Sequence, residues 1–323
     1  MSKSGTKRAA VVYNPTRVTA AALHSLIDPA AAEAGWGDTL WYETTIADSG
    51  KNLSREAVRA GADMVFAAGG DGTVRSVAEG LRDSTAALAL LPSGTANLLA
   101  RNLNLPIGNV PEAVAIAFTG RTRHIDLGIA TLSRVDGTIE EHGFLVMAGM
   151  GIDADIMANT NETLKRTVGW LAYVDAGIRV IPNAGPFRIR YQLDDKPSHS
   201  AHVSTILFGN CGTLTGGLEM MPDAIIDDGQ LDVAVLQPKG TLGWIDIWRK
   251  LRWENGVLRR SSIGRRIIRA TSGNASTITY LRSSGITVSL DKPRDVELDG
   301  DGFGVISGVR FAADAGALAV RVR

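Results

Sequence analysis

Cysteine is almost absent from the 323-residue chain: the lone Cys211 excludes an intramolecular disulfide framework, and without a CxxC pair a structural zinc site has no starting ligands. Net charge is missing too. Lys plus Arg and Asp plus Glu stand at 34 each, so no global field marks a binder of nucleic acid, and any electrostatic targeting has to be local. No apolar run approaches the about 20 residues that a membrane-spanning helix needs. The polar, basic start from Met1 to Arg8 leads straight into a short strand-like stretch rather than into a leader core. These absences predict a cytoplasmic protein that meets any membrane from outside. Three common phosphate-binding signatures are also lacking: no GxxxxGKS/T loop, no HRD or DFG set, and no GxGxxG after the first strand. Repeats and low-complexity tracts are absent as well.

What is present suffices for a sizeable core, with 45% hydrophobic residues in a length that suits one or two domains. Residues 9 to 130 alternate strand and helix: strands at Ala9–Asn14, Thr39–Thr44, Asp63–Ala68 and Ala87–Leu91, helices at Thr19–Ala34, Ser54–Ala60, Thr73–Arg82 and Asn97–Leu103. The strands are continuous apolar runs, which predicts a Rossmann-like parallel sheet covered on both faces. After about residue 130 the texture changes to short alternating strands, at Phe187–Leu193, His202–Gly209, Leu231–Leu236, Thr277–Tyr280 and Gly285–Leu290, with helical segments at Glu162–Val180 and from Thr241 to about Trp253. The expectation is an α/β nucleotide-binding domain over 1–130 and a mainly β, sandwich-like domain over 131–305, with a ligand cleft between them.

Gly69-Gly70-Asp71-Gly72-Thr73 sits between a buried strand and a helix start. Glycines let the backbone approach a phosphate, and the N–H groups of a helix N-terminus favour an anion. Asp71 is repelled by phosphates unless a divalent cation stands between, so its presence points to a Mg²⁺-nucleotide; a plain strand-to-helix turn capped by Asp71 is the alternative. Pro92-Ser93-Gly94-Thr95-Ala96-Asn97 repeats the strand, turn and helix arrangement, and Asn97 is equally readable as a helix cap. Two such loops at one sheet edge form a ligand crevice. Asp299-Gly300-Asp301-Gly302 reads as a carboxylate pair or a solvated β-turn. Asp227-Asp228-Gly229 reads as a catalytic pair, a metal clamp or a hairpin turn.

Asn14-Pro15-Thr16, GGDGT at 69–73 and PSGTAN with Leu99-Ala100-Arg101 together resemble the diacylglycerol kinase catalytic family. Gly149-Met150-Gly151-Ile152-Asp153-Ala154, Lys165 with Gly169, Pro222 to Asp232, and Leu298-Asp299-Gly300-Asp301 extend the resemblance over nearly the whole chain. It implies an ATP-dependent kinase that phosphorylates a membrane lipid hydroxyl, with diacylglycerol as leading acceptor and phosphatidic acid as product. It implies nucleotide and metal contacts at Asn14, Pro15, Thr16, Thr44, Gly69, Gly70, Asp71, Gly72, Thr73, Gly94, Thr95 and Asn97. Asp301 becomes the general base with Asp299 beside it, a structural Mg²⁺ is held by Asp228 with main-chain oxygens near Ile225 and Gln230, and residues 306–323 return to the first domain. Three departures stand out: Thr16-Arg17-Val18 replaces a glycine-containing turn, Arg75-Ser76 replaces Asn-Glu, and Asp301 replaces Glu.

Trp244, Trp248 and Trp253 lie among Arg249, Lys250, Arg252, Arg259, Arg260, Arg265, Arg266 and Arg269. That mixture suits docking on an anionic bilayer, at the inner face of the membrane; a helix with core tryptophans and solvated arginines is the alternative. His199 and His202 read as surface residues and Cys211 as an inert small side chain. A sphingoid base or another lipid alcohol is an alternative acceptor, an NAD kinase is the rival enzyme, a silent nucleotide or lipid sensor is the rival outside catalysis, and a homodimer is open.

Overall fold

The computed structural model describes residues 6–151, 186–194, 196–214, 219–238 and 278–323. The helices expected at Glu162–Val180 and Thr241–Trp253, the stretch from Trp244 to Arg269, Ile152-Asp153-Ala154, Lys165 and Gly169 lie outside the described residues. The chain forms two compact units, the first from residues 1–127, 226–228 and 314–323, the second from 128–225 and 229–313.

In the first unit, β1 (Ala9–Tyr13), β3 (Met64–Gly69) and β4 (Ala87–Pro92) are buried at every position. Their unalternating apolar sequences require this, because helices cover both faces of a parallel sheet. With β2 (Leu40–Glu43) they form a parallel ladder in the order β4-β3-β1-β2. Beyond β4 lies the end of β14 (Asp301–Val322), where Val320 pairs in parallel with Leu88. On one face, α1 (Ala20–Glu33) and α5 (Val110–Thr119) bring Leu23, Ile27 and Val114 onto Val11, Phe66 and Leu91. Val12, on the opposite face, lies near Gly50 and Val77 at the side of α2 (Lys51–Arg59) and α3 (Asp71–Leu81). The α2–α3 crossing is tight, with Ser54 Oγ donating to the Val77 carbonyl at 3.3 Å.

The second unit is antiparallel. β12 (Ile278–Ser283), β11 (Leu231–Leu236), β10 (Thr205–Gly209), β7 (Met147–Met150), β13 (Gly285–Leu298) and the start of β14 lie side by side in that order. β8 (Phe187–Leu193) pairs with β13 and with β9 (His199–Val203). β13 serves two neighbours in turn. Its residues Ile286–Leu290 pair with β8, the register to β14 shifts between Ser289 and Arg294, and Val296–Leu298 then pair with β7. The core holds Phe144, Phe208 and Phe311, with the rings of Phe208 and Phe311 stacked at 4.1 Å. β5 (Arg121–Ser133) leads into this unit and forms a hairpin with β6 (Ile139–Phe144).

Candidate active site

In the first unit, the candidate nucleotide residues gather where the parallel strands end. Asn14 follows β1, Thr44 follows β2, Gly70 follows β3, and the 93–97 turn follows β4. In an open α/β sheet this is the ligand-binding edge, and the reversal of strand order falls between β1 and β3. Gly70 is the N-cap of α3, whose first intrahelical bond runs from Val74 N to Gly70 O at 3.0 Å. The N–H groups of a first helical turn have no carbonyl one turn back and point at whatever occupies the helix entrance.

Gly94 lets the two loops approach, and Gly69 leaves room for Thr73 within the first loop. A Cβ on Gly94 would lie 2.7 Å from the Gly70 Cα, and one on Gly69 would lie 2.6 Å from Thr73 Oγ1. Asp71 and Asn97 then tie the loops to each other. The Asp71 carboxylate accepts from Asn97 N at 3.0 Å and from Leu98 N at 2.6 Å, so it caps α4 (Leu98–Asn102) from another element. Asn97 stands at the N-cap position in the left-handed region, φ 49°, and its side chain makes no cap bond. It clamps the Gly94 peptide instead, accepting from Gly94 N at 3.0 Å and donating to Gly94 O at 2.8 Å. The reading of Asn97 as a side-chain cap is therefore corrected: Asp71 supplies the cap, and Asn97 shapes the turn.

The remaining candidates flank this knot. Asn14 Oδ1 accepts from Thr16 N at 3.0 Å and Thr16 Oγ1 at 2.7 Å, closing a turn that leaves Pro15, Thr16 and Arg17 exposed. Thr44 is buried, its N–H donating to Tyr13 O at 2.9 Å, while Thr95 is exposed. In α3, Arg75-Ser76 stands where the resemblance leads one to expect Asn-Glu, and Glu79 follows one helical turn further on. Glu79 takes Lys51 Nζ at 2.7 Å and Arg75 Nη1 at 3.7 Å, so this part of the helix is tied to α2 by charge.

In the second unit, Asp299 and Gly300 both have positive φ, 50° and 90°, and turn the chain between β13 and β14. Asp299 is buried. Its Oδ2 accepts from Leu145 N at 2.7 Å, and its Oδ1 from Val146 N at 2.8 Å and Met147 N at 3.0 Å. A solvated turn does not describe this residue: its carboxylate is an internal anchor for the chain entering β7. Asp301 differs sharply, standing exposed at the start of β14.

Sequence reasoning passed over Glu297 on β13. Burial, reinforced by the charges of Asp295 and Asp301, pushes its carboxyl up to about 8. Its Oε2 is buried with no hydrogen-bond partner among the described residues. The available signal was a charged residue flanked by core Val296 and Leu298, two positions before Asp299.

Around the acidic loop, Asp227 is engaged by Arg123 at 2.8 Å. Asp228 is half-buried and Ile225 exposed, with Gly229 at φ 71°. One carboxylate with carbonyl oxygens is a hard-oxygen donor set, which suits Mg²⁺. Among the described residues, no three His, Cys, Asp or Glu side chains group as a metal site.

Residues 8–130 match the diacylglycerol kinase catalytic domain, and residues 146–256 match the YegS C-terminal NAD kinase beta sandwich-like domain. A diacylglycerol kinase of Bacillus subtilis is 27% identical, covering 94% of this chain and 92% of that protein. A probable lipid kinase YegS-like protein of Pseudomonas aeruginosa is 32% identical over 90% of this chain and 87% of its own. A crystal structure of a diacylglycerol kinase from Bacillus anthracis superposes with TM-score 0.74 at 22% identity, covering 100% and 99% of the two chains. Yeast NADH kinase shares the fold at TM-score 0.55 and 10% identity, over 99% of this chain and 84% of that one. With catalytic and β-sandwich segments matched in order and a relative above 30% identity along most of its length, the chain belongs to the diacylglycerol and YegS-like lipid kinase family, phosphotransferases with an alcohol acceptor.

Proposed function

We propose that the protein transfers the γ-phosphoryl group of ATP to the hydroxyl of a membrane lipid, diacylglycerol first among acceptors, giving phosphatidic acid and ADP. The observation that carries this reading is the knot in which Gly70 and Gly94 approach backbone to backbone while Asp71 caps α4. Two helix-entry turns are thereby fixed at the ligand edge of a parallel sheet, as a polyphosphate requires. Thr95, Thr73, the first turn of α3 and the Asn14–Thr16 turn are the groups assigned to orienting the phosphates.

Phosphoryl transfer asks the protein for positioning and electrostatics more than for covalent chemistry. Asp71 would be the carboxylate to hold a nucleotide-bound Mg²⁺, which would supply charge neutralisation of the phosphate oxygens. Asp301 takes the proton of the lipid hydroxyl; the new O–P bond forms at the γ-phosphorus as the bond to the ADP oxygen breaks. Exposure suits Asp301 to that role, whereas Asp299, which accepts three backbone N–H groups, fixes the turn that presents it. Asp228 with the main-chain oxygens of Ile225 and Gln230 is assigned to a structural Mg²⁺.

The Trp- and Arg-rich residues 244–269 are assigned to contact with an anionic bilayer, tested by liposome binding after charge removal. The deciding experiment measures transfer of labelled γ-phosphate from Mg-ATP to lipids in mixed micelles and to NAD. A phosphorylated lipid supports the reading and names the acceptor. Transfer to NAD alone would replace it with the NAD kinase; ATP binding without any product would replace it with a silent sensor.

A further inference from the structure

β14 does not run regularly from Asp301 into the core. From Glu297 to Asp295 its partner β13 advances two positions, while β14 advances three, from Gly302 to Val305. The extra residue makes a β-bulge, and Gly304 within it takes φ 74°. The bulge decides which face Asp301 leaves. Phe303 and Ile306, an odd number of positions apart, would lie on opposite faces of a regular strand, yet both pack on the same core. Asp301 alternates with Gly302 and so shares the face of Phe303, in agreement with its direct partner Leu298, a core residue. Without the extra residue, keeping Ile306 in the core would turn Asp301 to the other face.

Arg134 holds this bulge. It leaves the turn between β5 and β6, where its N–H donates to Thr138 O at 2.8 Å. The Ser307 hydroxyl donates to Ser133 O at 3.0 Å and to Arg134 O at 3.2 Å, so this turn is fastened to β14 beyond the bulge. The guanidinium then reaches back toward Asp301. Its Nη1 donates to Phe303 O at 2.6 Å and to Val305 O at 3.3 Å, bracketing Gly304. Its Nη2 pairs with Glu140 on β6, whose Oε2 also lies 3.3 Å from His142 Nε2. The His142 and Phe303 rings pack at 4.7 Å between centroids. With its side chain only 18% exposed, Arg134 joins two carbonyls and a carboxylate through one planar fork, a geometry that a single ammonium does not reproduce.

We propose that Arg134 is a positioning residue for phosphoryl transfer: by holding the Phe303 and Val305 carbonyls it keeps the bulge that sets the face, and hence the aim, of Asp301. This rests on the lipid kinase reading with Asp301 as base. An aspartate carboxylate reaches little beyond its own Cβ, so its distance to the acceptor hydroxyl is set by the backbone, and small displacements of that backbone are costly. Arg134 acts through Asp301 and contributes nothing once that carboxylate is gone.

The test records kcat for a diacylglycerol in mixed micelles, the KM of acceptor and of ATP, and thermal melting for wild type, Arg134→Met, Arg134→Lys and Gly304→Ala. It repeats Arg134→Met in the Asp301→Asn background with enzyme in excess, so that the residual rate is measured. Arg134→Met is expected to lose about 10- to 100-fold in kcat, as a misplacement of roughly 1 Å can cost, with both KM values within about twofold of wild type. Arg134→Lys keeps the charge and one donor and lies between the two. Gly304→Ala, strained at its positive φ, repeats the kcat loss without touching the charge, and carries the comparison with Arg134→Lys should Arg134→Met not fold. In the Asp301→Asn background Arg134→Met lowers the residual rate by less than about twofold, because the two residues act as one unit. Wild-type kcat in folded Arg134→Met, or an equal loss with and without the Asp301 carboxylate, would overturn the role of Arg134 and leave the kinase reading standing. Absence of lipid transfer by wild type would overturn that reading and this assignment together.

Discussion

The Asp71 carboxylate and the Asn97 main-chain nitrogen, 3.0 Å apart, join two turns separated by 26 residues of sequence. A side chain placed by one helix start is the cap of another. Asp71→Asn removes the charge from both bonds and offers an amide N–H where an acceptor is needed. Phosphoryl transfer is expected to fall about 100-fold or more, and stability by about 1–3 kcal/mol. Steady-state kinetics beside urea unfolding separates the two effects; unaltered turnover would remove Asp71 from the nucleotide site.

The two glycines of the knot should not respond alike. At Gly94 a methyl group would lie 2.7 Å from the Gly70 Cα, whereas at Gly70 it would meet only the Gly94 Cα at 3.8 Å. Gly94→Ala therefore drives the turns apart, with ATP KM rising about tenfold or more, as a misplacement of roughly 1 Å can cost. Gly70→Ala stays closer to wild type. The reverse ranking would contradict the geometry.

Asp299 and Asp301 separate in the same way by readout. Asp301→Asn leaves melting near wild type, because the residue is exposed, and abolishes most transfer. Asp299→Asn weakens three charge-assisted bonds to Leu145, Val146 and Met147, and unfolding free energy drops by about 2–4 kcal/mol. Retained transfer by folded Asp301→Asn would reassign the base.

Glu297 gives the protein a pH-dependent stability of definite sign. Its carboxyl stands near 8 in the folded chain against 4.5 for the ordinary side chain. Between those values the folded state holds a proton that the unfolded state has released, so its contribution to stability falls as pH rises from about 4.5 through 8. The loss amounts to a few kcal/mol, at about 1.4 kcal/mol for each tenfold difference in proton affinity between the two states. Denaturant melts of Glu297→Gln should lie above wild type at pH 8.5 and converge with it toward pH 5.

For the assigned structural Mg²⁺, addition of the ion should raise the melting temperature of wild type, and Asp228→Ala should lose that increment. Differential scanning calorimetry with and without chelator makes the comparison; an identical increment in both proteins would dissociate Asp228 from the ion.

The parallel core was legible because AAVVY, MVFAA and AALALL have no alternation and sit between helical stretches. Leu231–Leu236 and Phe187–Leu193 were legible for the opposite reason in part: short runs bounded by turn residues. α5 was readable but missed. Asn109 accepts from Glu112 N at 3.3 Å with Pro111 in the first turn, a helix-start signature in Asn-Val-Pro-Glu. The expected strand His202–Gly209 is two strands that part at Ser204, and β13 runs on past Leu290 to Leu298 through Pro293, because a register shift there absorbs the proline. The Gly-rich loops announced themselves through glycine spacing. The trans cap from Asp71, the anchoring of Asp299 and the isolation of Glu297 did not, since each depends on partners far away in sequence.

β14 also sets a condition on biosynthesis. Its Val320 completes the ladder beside Leu88, although β4 leaves the ribosome long before residues 314–322 are made. At about 5–20 residues per second the wait is on the order of ten seconds or more. During that interval the β4 edge has main-chain groups whose native partner does not yet exist, so nascent chains stalled before residue 314 should need shelter by a chaperone where full-length chains do not.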